Sequence, residues 1–282
     1  MLGITWSLGY SIVRYCVMHG VPPLGYAFWQ SLGPAIVLTG FCVITKKAIP
    51  SDKASLGFYA IASLLGIAIP NSVMYVSAGH LPSGMVAVVT NTAPMLTYVC
   101  SLFLRVERFQ LIRLCGVLCA VLGIYVIAMP STGLALGDMR WVFTALITPL
   151  CFASCAVYIS KYQPKNRDSL VLATGMLWGA SLWLSILLFS GSYFYPLTLP
   201  LNASTELIFV EIVLSSLGYY IFFQLLKIAG PVYYSLVAGV VAVAGLFFGW
   251  LFFQERFEWM AIIGIACVLT GVFLVSFGTK KI

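Results

Sequence analysis

Two ionisable side chains, Arg14 and Glu211, each lie inside a long apolar run, about five residues from one end of it. At 1.5 Å per helical residue both sit on the order of 7–8 Å below the same boundary of a bilayer. A charge held at that depth is costly and is by default a functional hypothesis. Equal depth and opposite sign make the two a plausible couple. They either pair with each other or hold a substrate across one cavity, and an amino-acid zwitterion would suit them. The alternative is that each snorkels to the interface on its own.

Other polar and aromatic residues share helical faces with these two. Trp6, Tyr10 and Arg14 follow at a spacing of four, with Ser7 and Ser11 nearby, and form one stripe. Ser154, Tyr158 and Lys161 repeat the stripe later in the chain. Pro70-Asn71, with Tyr75 one turn on, breaks a third run, and Gly218-Tyr219 weakens the run that carries Glu211. A proline removes one backbone hydrogen bond. Inside a span this is tolerated where protein or a water-filled cavity satisfies the freed group. Asn91 and Pro94 offer another polar, broken segment.

The expected substrate cavity is therefore Trp6, Tyr10, Arg14, Asn71, Tyr75, Asn91, Tyr158, Glu211 and Tyr219. The expected hinges are Pro70, Pro94, Gly218, Gly230 and Pro231. Aromatic packing, simple kinks and local hydrogen bonds are the competing structural readings. Arg113 is expected to snorkel, and His19 and His80 to lie near the outer surface. Gln30 and Gln224 receive no role. Asn202-Ala203-Ser204 is a formal glycosylation sequon, with meaning only in a eukaryotic host.

The elements that position these residues follow from composition. The chain has 282 residues, 61% hydrophobic and 8% charged. A soluble domain carries roughly 25% charged residues. This excludes a soluble enzyme, a nucleic-acid-binding domain and a disordered tail. The net charge of +7 does not indicate a nucleic-acid partner, because no basic run exceeds two residues. Eight cysteines include no Cys-x-x-Cys pair, so they read as small apolar residues, with no metal site and no cofactor expected. No secretory leader is evident, and no His-Glu-x-x-His, Gly-x-Ser-x-Gly or phosphate-binding glycine loop is present, which argues against an enzyme or an ATP-driven pump.

Apolar runs separated by Gly, Pro and charge predict ten spans. They cover 2–19, 24–45, 55–78, 83–104, 109–129, 140–160, 169–190, 206–227, 232–253 and 258–278. With the N-terminus inside, eleven Lys and Arg residues fall in inner loops and the tail. Only Arg140 and Arg256 fall outside. The positive-inside rule then puts both termini in the cytoplasm.

The chain also repeats itself. Glu107-Arg108-Phe109 with Gly116, Cys119 and Gly123 recurs as Glu255-Arg256-Phe257 with Gly264, Cys267 and Gly271, at an offset of about 148. Five spans per copy is odd, so the second copy enters the membrane from the opposite side. Such inverted repeats are common in secondary transporters. Each Glu is read as opening the last helix of its copy, where the helix dipole favours it. The paired glycines are read as a close-packing face, with a dimer seam as the alternative.

On these motifs the chain resembles the EamA-type branch of the drug/metabolite transporter superfamily. The residues that carry the resemblance are Trp6, the small-residue run Pro82-Ser83-Gly84-Met85-Val86-Ala87 leading to Pro94, and Glu107 with Gly116 and Gly123. In the second half they are Gly230-Pro231 and Glu255 to Gly271. Ala153 stands where a second Trp is expected. The resemblance implies an all-α integral membrane protein of ten transmembrane helices in two inverted-topology five-helix repeats, 1–130 and 139–278. It implies a secondary transporter, exporter or exchanger, for a small polar or amphiphilic metabolite such as an amino acid, working by alternating access. Multidrug efflux on the same fold is the alternative, ahead of an intramembrane enzyme or a channel. The expected partners are a small-molecule substrate and the lipid bilayer, with no nucleic acid, as a monomer or homodimer in the inner membrane.

Overall fold

A computed structural model describes residues 1–103, 109–127, 136–164, 167–189, 193–197 and 201–277. Every element among them is helical. They are α1 (Leu2–Met18), α2 (Pro23–Ile44), α3 (Lys53–Ser63), a π-helical turn (Leu64–Ala68), α4 (Ile69–Ala78), α5 (Ser83–Thr90), α6 (Ala93–Phe103) and α7 (Leu111–Ile127). Then follow α8 (Leu136–Ala145), α9 (Ile147–Tyr162), α10 (Ser169–Phe189), α11 (Ala203–Phe253) and α12 (Trp259–Phe277). Six described stretches are long and apolar enough to cross a bilayer, among them Lys53–Ala78, which runs through the π turn.

The breaks have sequence causes. Pro70 cannot donate its backbone N–H, and the π turn that accommodates the missing bond lies just ahead of it. The helical run between Ser83 and Phe103 breaks at Asn91-Thr92, just before Pro94. Asp52 caps α3 by accepting from the Ser55 amide, 3.1 Å, and hydroxyl, 2.9 Å. Those two bonds, with Arg167 nearby, hold its carboxyl below the usual carboxylate range.

The helical backbone Ala203–Phe253 is not one straight rod. Gly9 of α1 faces Glu211, while Gly245 lies against Ser7, only two residues away on α1. Residues 211 and 245 would stand about 51 Å apart on a straight helix. α11 therefore doubles back between Phe222 and Val237 into two limbs that flank α1. Gly230 and Pro231 fall in that return. The two limbs match the expected spans 206–227 and 232–253.

α7 and α12 form the most extensive helix pair and run antiparallel. A Cβ added at Gly116 would stand 2.9 Å from the Gly271 carbonyl, and one at Gly123 would stand 2.6 Å from the Gly264 carbonyl. The Cys119 thiol donates to the Cys267 carbonyl between them, 3.3 Å. The glycine faces are thus consumed within one chain. This fits the reading of the glycines as a close-packing face, and not the alternative of a dimer seam.

Large apolar side chains cover the outside of the bundle, including Phe41 and Ile44 on α2, Leu122 on α7, Leu182 on α10 and Phe247 on α11, each more than half exposed. An exposed apolar surface of this extent suits lipid. At one end, Lys47–Asp168, 2.8 Å, and Arg167–Asp52, 3.3 Å, tie the α2–α3 connection to the segment before α10.

Candidate substrate cavity

The interior holds a cavity of about 420 Å³. This lies within the usual range of small-molecule sites. Seven of the nine expected residues line it: Trp6, Tyr10, Asn71, Tyr75, Asn91, Glu211 and Tyr219. Pro94 lines it too, as does Gly66 in the π turn.

Arg14 does not line the cavity. Its Nε lies 3.6 Å from Glu255 Oε1, its guanidinium sits 5.5 Å from the centre of the Phe253 ring, and it donates to the Leu81 carbonyl. The expected couple of Arg14 with Glu211 is thereby corrected. Both are deep in the bundle, but Gly9 and the turn of α1 around it face Glu211, while Arg14 faces the tip of α11. Tyr158 also stands away from the lining. It stacks on Phe58, with ring centres 5.9 Å apart, because α9 turns Cys155 and Ile159 toward the cavity instead.

Glu255 has the structural role expected of its motif, on a different helix. Oε1 accepts from the Ser83 amide, 2.6 Å, and hydroxyl, 3.0 Å; Oε2 accepts from the Gly84 amide, 3.1 Å. It caps α5, not α12, which starts four residues later at Trp259. Gln254 makes this possible. Its left-handed backbone, φ 51°, ends α11 and turns the next residue inward. The Arg14–Glu255 pair closes one end of the bundle. Glu107 and Arg108, the first copy of the motif, lie outside the described residues.

Glu211 is 6% exposed and anchors a chain of polar side chains. Asn71 Nδ2 donates to Gln30 Oε1, 3.0 Å. Gln30 Nε2 donates to Ser215 Oγ, 3.0 Å, and Ser215 Oγ donates to Glu211 Oε1, 2.7 Å. Glu211 Oε2 is buried without a hydrogen-bond partner. Gly9 permits the approach of α1, since an added Cβ would stand 3.2 Å from Oε1 and 3.3 Å from Oε2. Gln30 had no signal in sequence, because its partners come from α4 and α11, 41 and 185 residues away.

The remaining expected residues are placed as follows. Tyr10 hydrogen-bonds the Thr90 hydroxyl, 2.9 Å, at the last turn of α5, and Asn91 donates back to the Ala87 carbonyl, 2.7 Å. Gly218 does not break α11; it lets Trp6 approach, as an added Cβ would stand 2.7 Å from the indole Nε1. Pro70 accepts at its carbonyl from Thr148, 3.1 Å. Arg113 does not snorkel. It is 4% exposed, lies 5.1 Å from the centre of the Tyr98 ring and lines the cavity. His80 stacks on Trp141 and His19 on Tyr15, both exposed as expected.

The lining is asymmetric along the bundle axis. It stops at Tyr10, Tyr75 and Glu211 on the side of the Arg14–Glu255 pair. In the other direction it reaches Arg113, Val237 and Ser276, toward the end where α1 begins and α12 finishes. No group of three or more His, Cys, Asp or Glu that could hold a metal occurs among the described residues.

Comparison with known proteins gives a consistent family. The model of the EamA-like transporter family matches residues 1–129 and again 139–277. An uncharacterised transporter of Bacillus subtilis, YoaV, is 23% identical over 98% of this chain and 95% of its own. A second from the same organism, YetK, is 24% identical over 86% of this chain and 74% of its own. One from Archaeoglobus fulgidus is 24% identical over 96% and 94%. A solved crystal structure superposes with a TM-score of 0.62 at 14% identity, covering 98% of this chain and 96% of that one, and speaks for the fold.

Proposed function

Since the chain belongs to the EamA-like transporter family, we propose that it is a secondary transporter that moves a small polar or amphiphilic metabolite through this cavity by alternating access. The observation that carries the reading is the cavity's asymmetry. It is closed at one end by the Arg14–Glu255 pair and by Glu255's cap on α5, and it extends toward the other end. A site reached from one side at a time is what alternating access requires.

The two matches to one family model support two repeats, 1–130 and 139–278. The antiparallel α7–α12 seam, built from equivalent glycines of the two copies, supports an inverted relation between them. Exchanging the conformations of the halves would open the closed end and close the end toward which the cavity extends. Helices α5 and α6, the π turn before Pro70, and the return of α11 at Gly230-Pro231 are where the backbone can change most cheaply. Arg14 acts in this scheme on the closure, not on the substrate.

By the charge bias of the loops, the end carrying both termini faces the cytoplasm, in a multi-pass inner-membrane protein. A closure at the opposite end then corresponds to an inward-facing state. Export and exchange are the directions in keeping with the family resemblance. The aromatic lining, with Trp6 5.6 Å from Phe222, favours amphiphilic solutes, and so keeps multidrug efflux as a second reading.

The test is counterflow with purified protein in liposomes. Liposomes preloaded with one solute of a metabolite panel are diluted into its labelled form. Saturable, protein-dependent accumulation is expected for at least one solute. Uptake that never saturates would indicate a pore, and chemical conversion of the solute would indicate an enzyme.

A further inference from the structure

We propose that the substrate is an organic cation, an amine with an apolar body, whose charged nitrogen binds Glu211 Oε2. This rests on the transport reading for its biological sense, but the binding claim stands on the site itself. The polar chain has a direction. Asn71 donates to Gln30, Gln30 to Ser215 and Ser215 to Glu211 Oε1. Each donor points toward the carboxylate and stabilises negative charge on it. The chain leaves one acceptor, Oε2, buried and unpartnered, on a residue that lines the cavity. What completes it must be a donor, and a charged donor makes the strongest such bond.

No ion pair neutralises Glu211 among the described residues. Arg14, the cation that might have done so by depth, is held by Glu255. The wall around the carboxylate includes Trp6, Tyr10, Tyr75 and Tyr219. Aromatic faces attract cations when water is excluded.

A zwitterionic α-amino acid fits less well. The other charged side chain of the lining, Arg113, lies near the opposite end. The two charges of an α-amino acid are only a few ångströms apart, so its carboxylate would sit unpaired beside Glu211.

The experiment uses four probes that share a phenylethyl body: 2-phenylethylamine, 2-phenylethanol, 3-phenylpropionate and phenylalanine. Binding to the purified full-length protein in lipid nanodiscs is read by calorimetry and by thermal shift. The amine is expected to bind at least tenfold more tightly than the other three. Glu211→Gln should abolish that preference, and Glu211→Asp should keep part of it. Because Glu211→Gln could perturb folding, the wild-type protein is also treated with dicyclohexylcarbodiimide. The amine, and not 3-phenylpropionate, should protect the Glu211-containing peptide from labelling.

Equal or tighter binding of phenylalanine or 3-phenylpropionate would overturn the proposal. So would an amine preference that survives in Glu211→Gln, or the failure of all four to bind. The transport reading fails separately. If the amine binds at Glu211 but shows no counterflow, the cation site stands and the transport reading falls. If phenylalanine shows counterflow and the amine does not bind, the reverse holds.

Discussion

Glu255 shows how one side chain can serve a cation and a helix N-terminus at once. Its Oε1 takes the Ser83 amide and lies near Arg14 Nε, while Oε2 takes the Gly84 amide. Its side chain is 6% exposed and that of Arg14 is 18% exposed, so both are largely withdrawn from water. Removing one partner of such a pair leaves the other charge buried and uncompensated. Arg14→Gln and Glu255→Gln should each lower the thermal midpoint in detergent. The double variant should lose less than the sum of the singles, with a coupling of about 1–3 kcal/mol. Strictly additive losses would dissolve the pair. At this scale the sequence was legible only in part. Depth along a helix identified Arg14 and Glu211 as unusual, since depth is a linear property of the chain. Partner choice depends on rotation about the helix axis and on which neighbour packs there. Arg14 therefore met Glu255 instead of Glu211, and Gln30, with no local pattern, went unread.

The helices were more legible, because apolar length and glycine or proline punctuation are local. The break at Asn91-Thr92, the disturbance before Pro70 and the ends of α10 follow from such signals. Gly218 keeps a helical backbone here, because the same glycine also serves close approach, in this case of Trp6. Glycines can be sorted by what a Cβ would meet, and this gives a prediction of opposite signs. Alanine is favoured over glycine in a helix by about 1 kcal/mol. At Gly40 and Gly57 a Cβ meets nothing within 4 Å, so Gly40→Ala and Gly57→Ala should hold or raise the thermal midpoint. At Gly123 the Cβ would stand 2.6 Å from the Gly264 carbonyl, a backbone atom that cannot swing away. Gly123→Ala should therefore destabilise, by roughly 1–3 kcal/mol through overpacking. A rise in the midpoint for Gly123→Ala would mean that α7 and α12 are not in this register. An unchanged oligomeric state across all three variants is expected, since the seam lies within one chain.

For the molecule as a whole, the closed end is the feature on which the proposed cycle turns. There α5, the tip of α11 and the Arg14–Glu255 pair meet, and every alternating-access scheme for this cavity must part them. Gly84 on α5 marks the contact, because a Cβ added to it would lie 3.1 Å from Leu246 Cα on the second limb of α11. Leu246→Cys removes the side chain that a Cβ at Gly84 would meet, and the two positions are then near enough for a crosslink once the helices part by a few tenths of an ångström. In a background with the eight native cysteines replaced, Gly84→Cys with Leu246→Cys should form a disulfide under mild oxidation. Counterflow should stop on oxidation and return on reduction, while binding from the open end persists in the oxidised protein. Persistence of binding separates a locked carrier from a misfolded one, since a damaged cavity would lose both. If counterflow continued with the disulfide formed, this end would not open during transport, and the closure by Glu255 would be a static cap on α5.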